Sequence, residues 1–108
     1  MGSCVFCKVV SGEIPTDFVY QNDKIVVFKD IHPVKPTHLL VIPKAHVADY
    51  TEIDKEVLFV IKEVIADLVK EMGLKEKGYR VEVSGGTAMG VPHLHFHLLS
   101  PVGVAEKV

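Results

Sequence analysis

The stretch His93-Leu94-His95-Phe96-His97-Leu98-Leu99 decides how this chain is read. On a β-strand, side chains two apart share a face, so His93, His95 and His97 would line one surface while Leu94, Phe96 and Leu98 turn to the other. A helix would step the same residues by about 100° each and scatter the imidazoles around its axis. The pattern therefore predicts a last strand with chemistry on one face and core on the other. With a reference pKa of about 6.5, three adjacent imidazoles cannot all carry charge near neutral pH. The rival readings are a metal cluster and a chance polar stripe on a solvated strand, and the apolar neighbours weigh against chance.

At 108 residues the chain is expected to form one domain, 1–108, with a core that needs no disulfides. A net charge of -2 with both signs scattered excludes a basic stripe, and with it a nucleic-acid polymer as partner. The N-terminus has no charged region leading into an apolar run. No stretch approaches the roughly 20 apolar residues of a membrane span, so no membrane partner and a soluble, cytoplasmic protein are expected.

Outward from the histidine run, the chain reads as alternating short strands around one long helix. Phe18–Gln21 and Ile25–Asp30 flank the turn residues Asn22-Asp23-Lys24 and predict a hairpin. Pro33, Lys35 and Pro36 stiffen the connection to a third strand, Thr37–Ile42, closed by Pro43. Val57, Leu58, Ile61, Val64, Ile65, Leu68, Val69 and Met72 recur at helical spacing, with Thr51 as the expected N-cap and Gly73 as terminator. Tyr79–Ser84 reads as a fourth strand, and Gly85–Val91 as a loop into the fifth. Helices set against a mostly antiparallel sheet make the class α+β.

A second chemical feature is Cys4-Val5-Phe6-Cys7, whose spacing lets two thiolates grip one tetrahedral ion. Disulfide redox chemistry is the rival, but a thioredoxin-type pair follows a strand, and only three residues precede Cys4. Zinc is the favoured reading. His32, His38, His46 and His93 all remain available to complete a Cys2His2 set, and the spacing does not choose among them.

Three blocks in order carry a resemblance: Phe6-Cys7-Lys8-Val9-Val10-Ser11-Gly12-Glu13-Ile14-Pro15; then Phe28-Lys29-Asp30-Ile31 with Pro36-Thr37-His38 through Lys44-Ala45-His46; then the triad itself. Together they resemble the histidine-triad (HIT) superfamily, in particular its small zinc-carrying, purine-nucleotide-binding branch. The resemblance implies a HIT-like fold with an antiparallel five-stranded sheet, one long and one short helix, and a homodimer that joins two sheets. It also implies an enzyme in which His95 attacks the α-phosphorus of a nucleotide and forms a nucleotidyl-histidine that water then hydrolyses. Neutral imidazole suits that duty, being a competent nucleophile whose phosphoryl adduct is labile. His97 is expected to supply hydrogen bonds to the leaving group and transition state, and His38 to orient the site.

By the same resemblance Cys4, Cys7, His46 and His93 hold a structural zinc. Asp30 accepts from the ribose hydroxyls, and Val5, Phe6, Val9, Phe28 and Ile31 form the apolar slot for a purine base. Ser84, Met89 and Gly90 match nucleotide-binding positions but depart from the pattern. Relatives usually carry an asparagine near Ser84 and a glutamine and a small hydroxyl residue where Met89 and Gly90 stand. Met89 cannot donate a proton and Gly90 offers only its backbone; loss of one positioned donor typically costs on the order of 100-fold in rate. The expected reaction is hydrolysis of a purine nucleoside 5′-phosphoramidate. Alternatives are dinucleoside polyphosphate hydrolysis, or a zinc-stabilised nucleotide-binding module with weak or no catalysis.

Overall fold

The two-faced pattern at 93–99 persists in the computed structural model, which describes residues 4–106, but the strand is shorter than the pattern predicts. Leu94, Phe96 and Leu98 are buried in one core, while the imidazoles lie toward the other side of the sheet. The last strand, however, is Phe96–Ser100, so His93 and His95 precede it and only His97 sits in the ladder. The reason is local. Pro92 has no N–H, the His93 N–H turns back to Val91 O at 2.8 Å, and the Leu94 N–H is taken by Val47 O at 2.7 Å. The edge strand β4 ends here as well, at Val83, and Phe96 is the first residue of β5 with a registered partner on either side, although β3 itself continues to Pro43.

In chain order the elements are α1 (Val5–Ser11), β1 (Phe18–Gln21), β2 (Ile25–Lys29), β3 (Thr37–Pro43), α2 (Lys55–Glu71), α3 (Leu74–Lys77), β4 (Arg80–Val83) and β5 (Phe96–Ser100). The five strands form one antiparallel sheet in the order β1-β2-β3-β5-β4. The predicted hairpin is built by Asn22, whose Oδ1 accepts from the N–H of Lys24 at 2.8 Å and of Ile25 at 3.0 Å. Along the central strands the two faces alternate: Ile25, Val27, Leu39 and Val41 meet α2, whereas Val26, Phe28, Leu40 and Ile42 meet α1. Both faces are covered, which explains why β2 and β3 read as continuous apolar runs.

Ile61, Val64, Ile65, Leu68 and Val69 carry the buried stripe of α2. Truncating one of them to alanine should cost about 2–5 kcal/mol. The predicted N-cap needs correction. Asp54, not Thr51, caps α2, its side chain accepting from the Glu56 N–H at 2.7 Å. Thr51 lies in a separate 3-10 turn, Tyr50–Glu52, where its own N–H and hydroxyl are drawn to Asp49. Gly73 ends α2 as expected, in the left-handed region at φ +65°, and α3 follows at once. At Gly78, φ is +80° and a side chain would put its Cβ 2.2 Å from Val102 O, so only glycine fits there. Among the described residues no helix is long and apolar enough to cross a membrane.

Candidate functional site

Two groups of polar side chains meet on the α1 side of the sheet. The first is Cys4, Cys7, His46 and His93, whose ligand atoms all lie within 4.8 Å of one another. Cys4 is the N-cap of α1, its Sγ accepting from the Cys7 N–H at 3.3 Å, so the helix start itself brings the two sulfurs together. His46 arrives just after β3 and His93 just before β5. Sγ of Cys4 is 3.4 Å from Nδ1 of His93, and Sγ of Cys7 is 3.2 Å from Nδ1 of His46 and 3.5 Å from that of His93. A tetrahedral ion with sulfur at ~2.3 Å and nitrogen at ~2.0 Å separates such ligands by about 3.5 Å.

Protonation fits as well. His93 is fully buried and its Nε2 donates to Pro43 O at 2.8 Å, leaving the Nδ1 lone pair facing the thiols. Burial holds this imidazole below its usual range, which keeps it neutral as a ligand must be. Burial and the adjacent Cys4 push the Cys7 thiol up, a cost that a bound cation reverses. Both cysteines are free thiols. The cluster is thus able to hold a metal ion, and of the four histidines open on sequence grounds it selects His46 and His93.

The second group is Asp30, His38 and His97, whose ligand atoms also lie within 4.8 Å. Here the hydrogen bonds argue against a metal. The Val34 N–H donates to His38 Nδ1 at 3.1 Å, so neutral His38 carries its proton on Nε2. That proton points to Nδ1 of His97 at 2.8 Å, with Oδ2 of Asp30 at 3.4 Å. His97 consequently accepts at Nδ1 and keeps its own proton on Nε2. The group is a relay of fixed tautomers that ends in a donor, and its nitrogens are not free to ligate. Burial is the main cause that brings His97 down to about 4; the neighbouring His95 and His38 add to it and Asp30 opposes it. At neutral pH His97 therefore donates as a neutral imidazole.

His95 stands between the two groups. Its Nδ1 is 2.9 Å from the backbone oxygen of His93, which can only accept, so in neutral imidazole the proton sits on Nδ1 and Nε2 keeps the lone pair. The Phe6 ring meets His95 edge-on at 5.1 Å, His93 at 6.0 Å and Phe28 at 5.8 Å. This one side chain touches His93 of the cysteine–histidine cluster, the imidazole with the free nitrogen and the apolar wall.

His95 and His97 open onto a cavity of about 840 Å³, within the range of small-molecule sites. Val5, Phe6, Val9, Phe28, Asp30, Ile31 and Gly90 also line it. Asp30 has a second attachment, Oδ1 accepting from the His32 N–H at 2.8 Å, and each oxygen retains a lone pair for a further donor. Ser84 and Met89 are not brought to the cavity. Ser84 follows β4 at the sheet edge, and Met89 turns its side chain into the core under α2, where an apolar thioether is better placed than beside a phosphate. Sequence reasoning missed the wall contributed by Ile14–Asp17 between α1 and β1 and by Phe18 and Val19 at the start of β1. Ile14-Pro15 was visible there, but a connection without periodicity gives no sign of which way its side chains turn.

With this geometry in hand, comparisons with known proteins agree on one relationship. A family model described as HIT domain matches residues 11–103. An uncharacterized HIT-like protein of Helicobacter pylori is 40% identical over 98 residues, spanning 89% of this chain and 94% of that protein. The purine nucleoside phosphoramidase of Escherichia coli is 36% identical over 106 residues, spanning 92% and 89%. Among solved structures, a HIT family hydrolase from Clostridium thermocellum superposes with a TM-score of 0.88 at 37% identity, covering 100% of this chain and 98% of that one.

Proposed function

The chain belongs to the HIT domain family, and from that premise we propose that it is a hydrolase acting on the α-phosphate of a purine nucleotide derivative, in the first place a nucleoside 5′-phosphoramidate. The observation that carries the reading is the state of His95: Nδ1–H tied to a carbonyl and a free Nε2 on the floor of a nucleotide-sized cavity. Nε2 attacks the α-phosphorus, the P–N bond breaks, and the amine leaves with a proton drawn from solvent. Water then attacks the nucleotidyl-histidine, releasing the nucleoside monophosphate and restoring the imidazole. His97, held as a donor by His38, hydrogen-bonds the leaving atom or a phosphoryl oxygen as charge develops. Val5, Phe6, Val9, Phe28 and Ile31 hold the base, and Asp30 takes the ribose hydroxyls through its spare lone pairs.

Zinc is the proposed ion for the Cys4, Cys7, His46 and His93 cluster, since two thiolates and two imidazoles suit its softness and tetrahedral preference. When bound it would be held by four protein ligands and would be structural. The residues around it do the rest: Cys4 and Cys7 fix α1, and His93 places the carbonyl that sets the His95 tautomer. A homodimer is the proposed assembly. Val81 and Val83 on the edge strand β4 and Phe59 on α2 are exposed apolar groups, as a self-complementary interface requires. Two free thiols suit a reducing compartment, which supports the cytoplasm.

The absence of a side-chain donor from Met89 and Gly90 favours one second reading, a nucleotide-binding module. The test is intact-protein mass spectrometry after brief exposure to adenosine 5′-phosphoramidate, with product release followed in parallel. A nucleotidyl adduct that disappears in His95→Ala, while AMP still binds, is the expected result. AMP binding without adduct or product, from phosphoramidates or dinucleoside polyphosphates alike, would replace the enzyme with the binding module.

A further inference from the structure

The residues after β3 hold the approach to β5 at three successive places. The His46 ring meets that of His93 edge-on, with centroids 5.0 Å apart. Val47 O accepts from the Leu94 N–H at 2.7 Å. Asp49 reaches furthest: its Oδ1 accepts from the Gly86 N–H at 2.8 Å, while Oδ2 accepts from the N–H of Thr51 at 3.1 Å and its hydroxyl at 2.6 Å. The two oxygens of one carboxylate thus hold two separate connections together. Among the described residues, Asp49 is the one side chain hydrogen-bonded to the backbone of the 85–92 loop. The seat is close, because a Cβ at Gly85 would lie 3.1 Å from Asp49 Oδ1.

That loop forms the wall beside His95, through Gly90 and Val91. Its other anchors to the fold are apolar packing contacts near its C-terminal end, Met89 in the α2 core and Val91 in the α1 core. Gly85 O accepts from the Ala88 N–H and Gly86 O from the Met89 N–H, both at 3.2 Å, so these bonds shape the loop without tying it to anything else. Since Met89, Gly90 and Val91 offer no side-chain donor to the cavity, backbone N–H groups are the donors the loop can present there, and their usefulness depends on placement.

We propose that Asp49 is a positioning residue for the phosphate side of the cavity, fixing the 85–92 loop relative to His95 in the reaction proposed above, on which this inference rests. Hydrogen bonds from the Thr51 side chain and then from the Gly86 and Thr51 N–H groups hold its carboxyl below the ordinary range, so the acceptor stays charged across any neutral assay.

The test uses the full chain and three variants, Asp49→Ala, Asp49→Asn and Thr51→Ala, with steady-state kinetics on adenosine 5′-phosphoramidate, calorimetric AMP binding and thermal melting. Misplacement of a catalytic wall by about 1 Å is worth up to about 100-fold, so Asp49→Ala should lower kcat by ~10–100-fold and leave AMP affinity within about threefold. Asp49→Asn keeps an oxygen for the Gly86 N–H and should recover most of the loss. Thr51→Ala should turn over within about threefold of wild type, because the Gly86 bond survives. Unchanged kcat in Asp49→Ala overturns the proposal, as does a loss shared equally by turnover and the AMP-competent fraction that Asn does not repair. A wild-type protein with no turnover overturns the reaction and this role with it, which separates that failure from a failure of Asp49 alone.

Discussion

The Cys4–Cys7–His46–His93 cluster and the Asp30–His38–His97 relay are built from similar residues, at similar separations, on the same face of one sheet, yet they are suited to different tasks. The difference lies in which ring nitrogen the backbone claims. In the cluster, Pro43 O takes the Nε2 proton of His93 and leaves Nδ1 bare toward two sulfurs. In the relay, the Val34 N–H occupies Nδ1 of His38 and leaves Nε2 protonated toward His97. A carbonyl at one ring nitrogen leaves the other with a bare lone pair; an amide at one leaves the other a donor. Geometric proximity alone would have counted both as metal sites.

The largest expected effect breaks the first half of that contrast. If the proposed zinc is the bound ion, elemental analysis should find it stoichiometric in wild type and absent from Cys7→Ser. An ion present at a thousand times its dissociation constant contributes about 4 kcal/mol, and each kcal/mol shifts Tm by ~4–8 °C in a domain of this size, so melting should fall by at least about 15 °C. AMP affinity should fall too, because Phe6 lies against both His93 and His95. A variant that retains one zinc per chain and melts like wild type would refute the ligand assignment.

Next in size is the relay. His38→Ala removes the donor that keeps the His97 proton on Nε2, and turnover should drop by on the order of 100-fold, as for other positioned proton donors and acceptors. Zinc content should not change. If it falls with the rate, the two clusters act as one unit and the contrast between them is wrong.

How much of this was legible in the sequence follows the same division between side chain and backbone. Period-two alternation found the two faces of β5, and helical spacing found the buried stripe of α2, because burial imposes those patterns directly. The start of β5 was not legible: it depends on Val47 O capturing the Leu94 N–H across the fold. Cys4 and Cys7 announced a metal pair by spacing, but His46 and His93 could be singled out only by resemblance until the distances were known. Met89 illustrates the limit of position matching. It occupies a nucleotide-binding position by resemblance, yet its apolar side chain turns to the core. Asp49 gave no signal, since an aspartate before a turn is ordinary and its partner Gly86 is 37 residues away.

The smallest predicted effect sharpens the relay half of the contrast through pH. His97 has a reference pKa of about 6.5 unfolded and about 4 in the folded chain. Between these values the unfolded chain binds a proton that the folded chain refuses, so acid favours unfolding. The associated stability is complete above about 6.5 and is lost progressively as pH falls toward about 4. Acid would also release a metal ion held by the thiolates, which would lower melting for a different reason. Comparing wild type with His97→Gln removes that ambiguity, because both lose metal together and only the wild type has the buried imidazole to protonate. The melting curves of the two should converge at neutral pH and separate by a few degrees at about pH 6, the gap widening toward about pH 4, with wild type the steeper. Parallel curves would mean that His97 is not held neutral by its surroundings, and the fixed-tautomer relay would lose its physical basis.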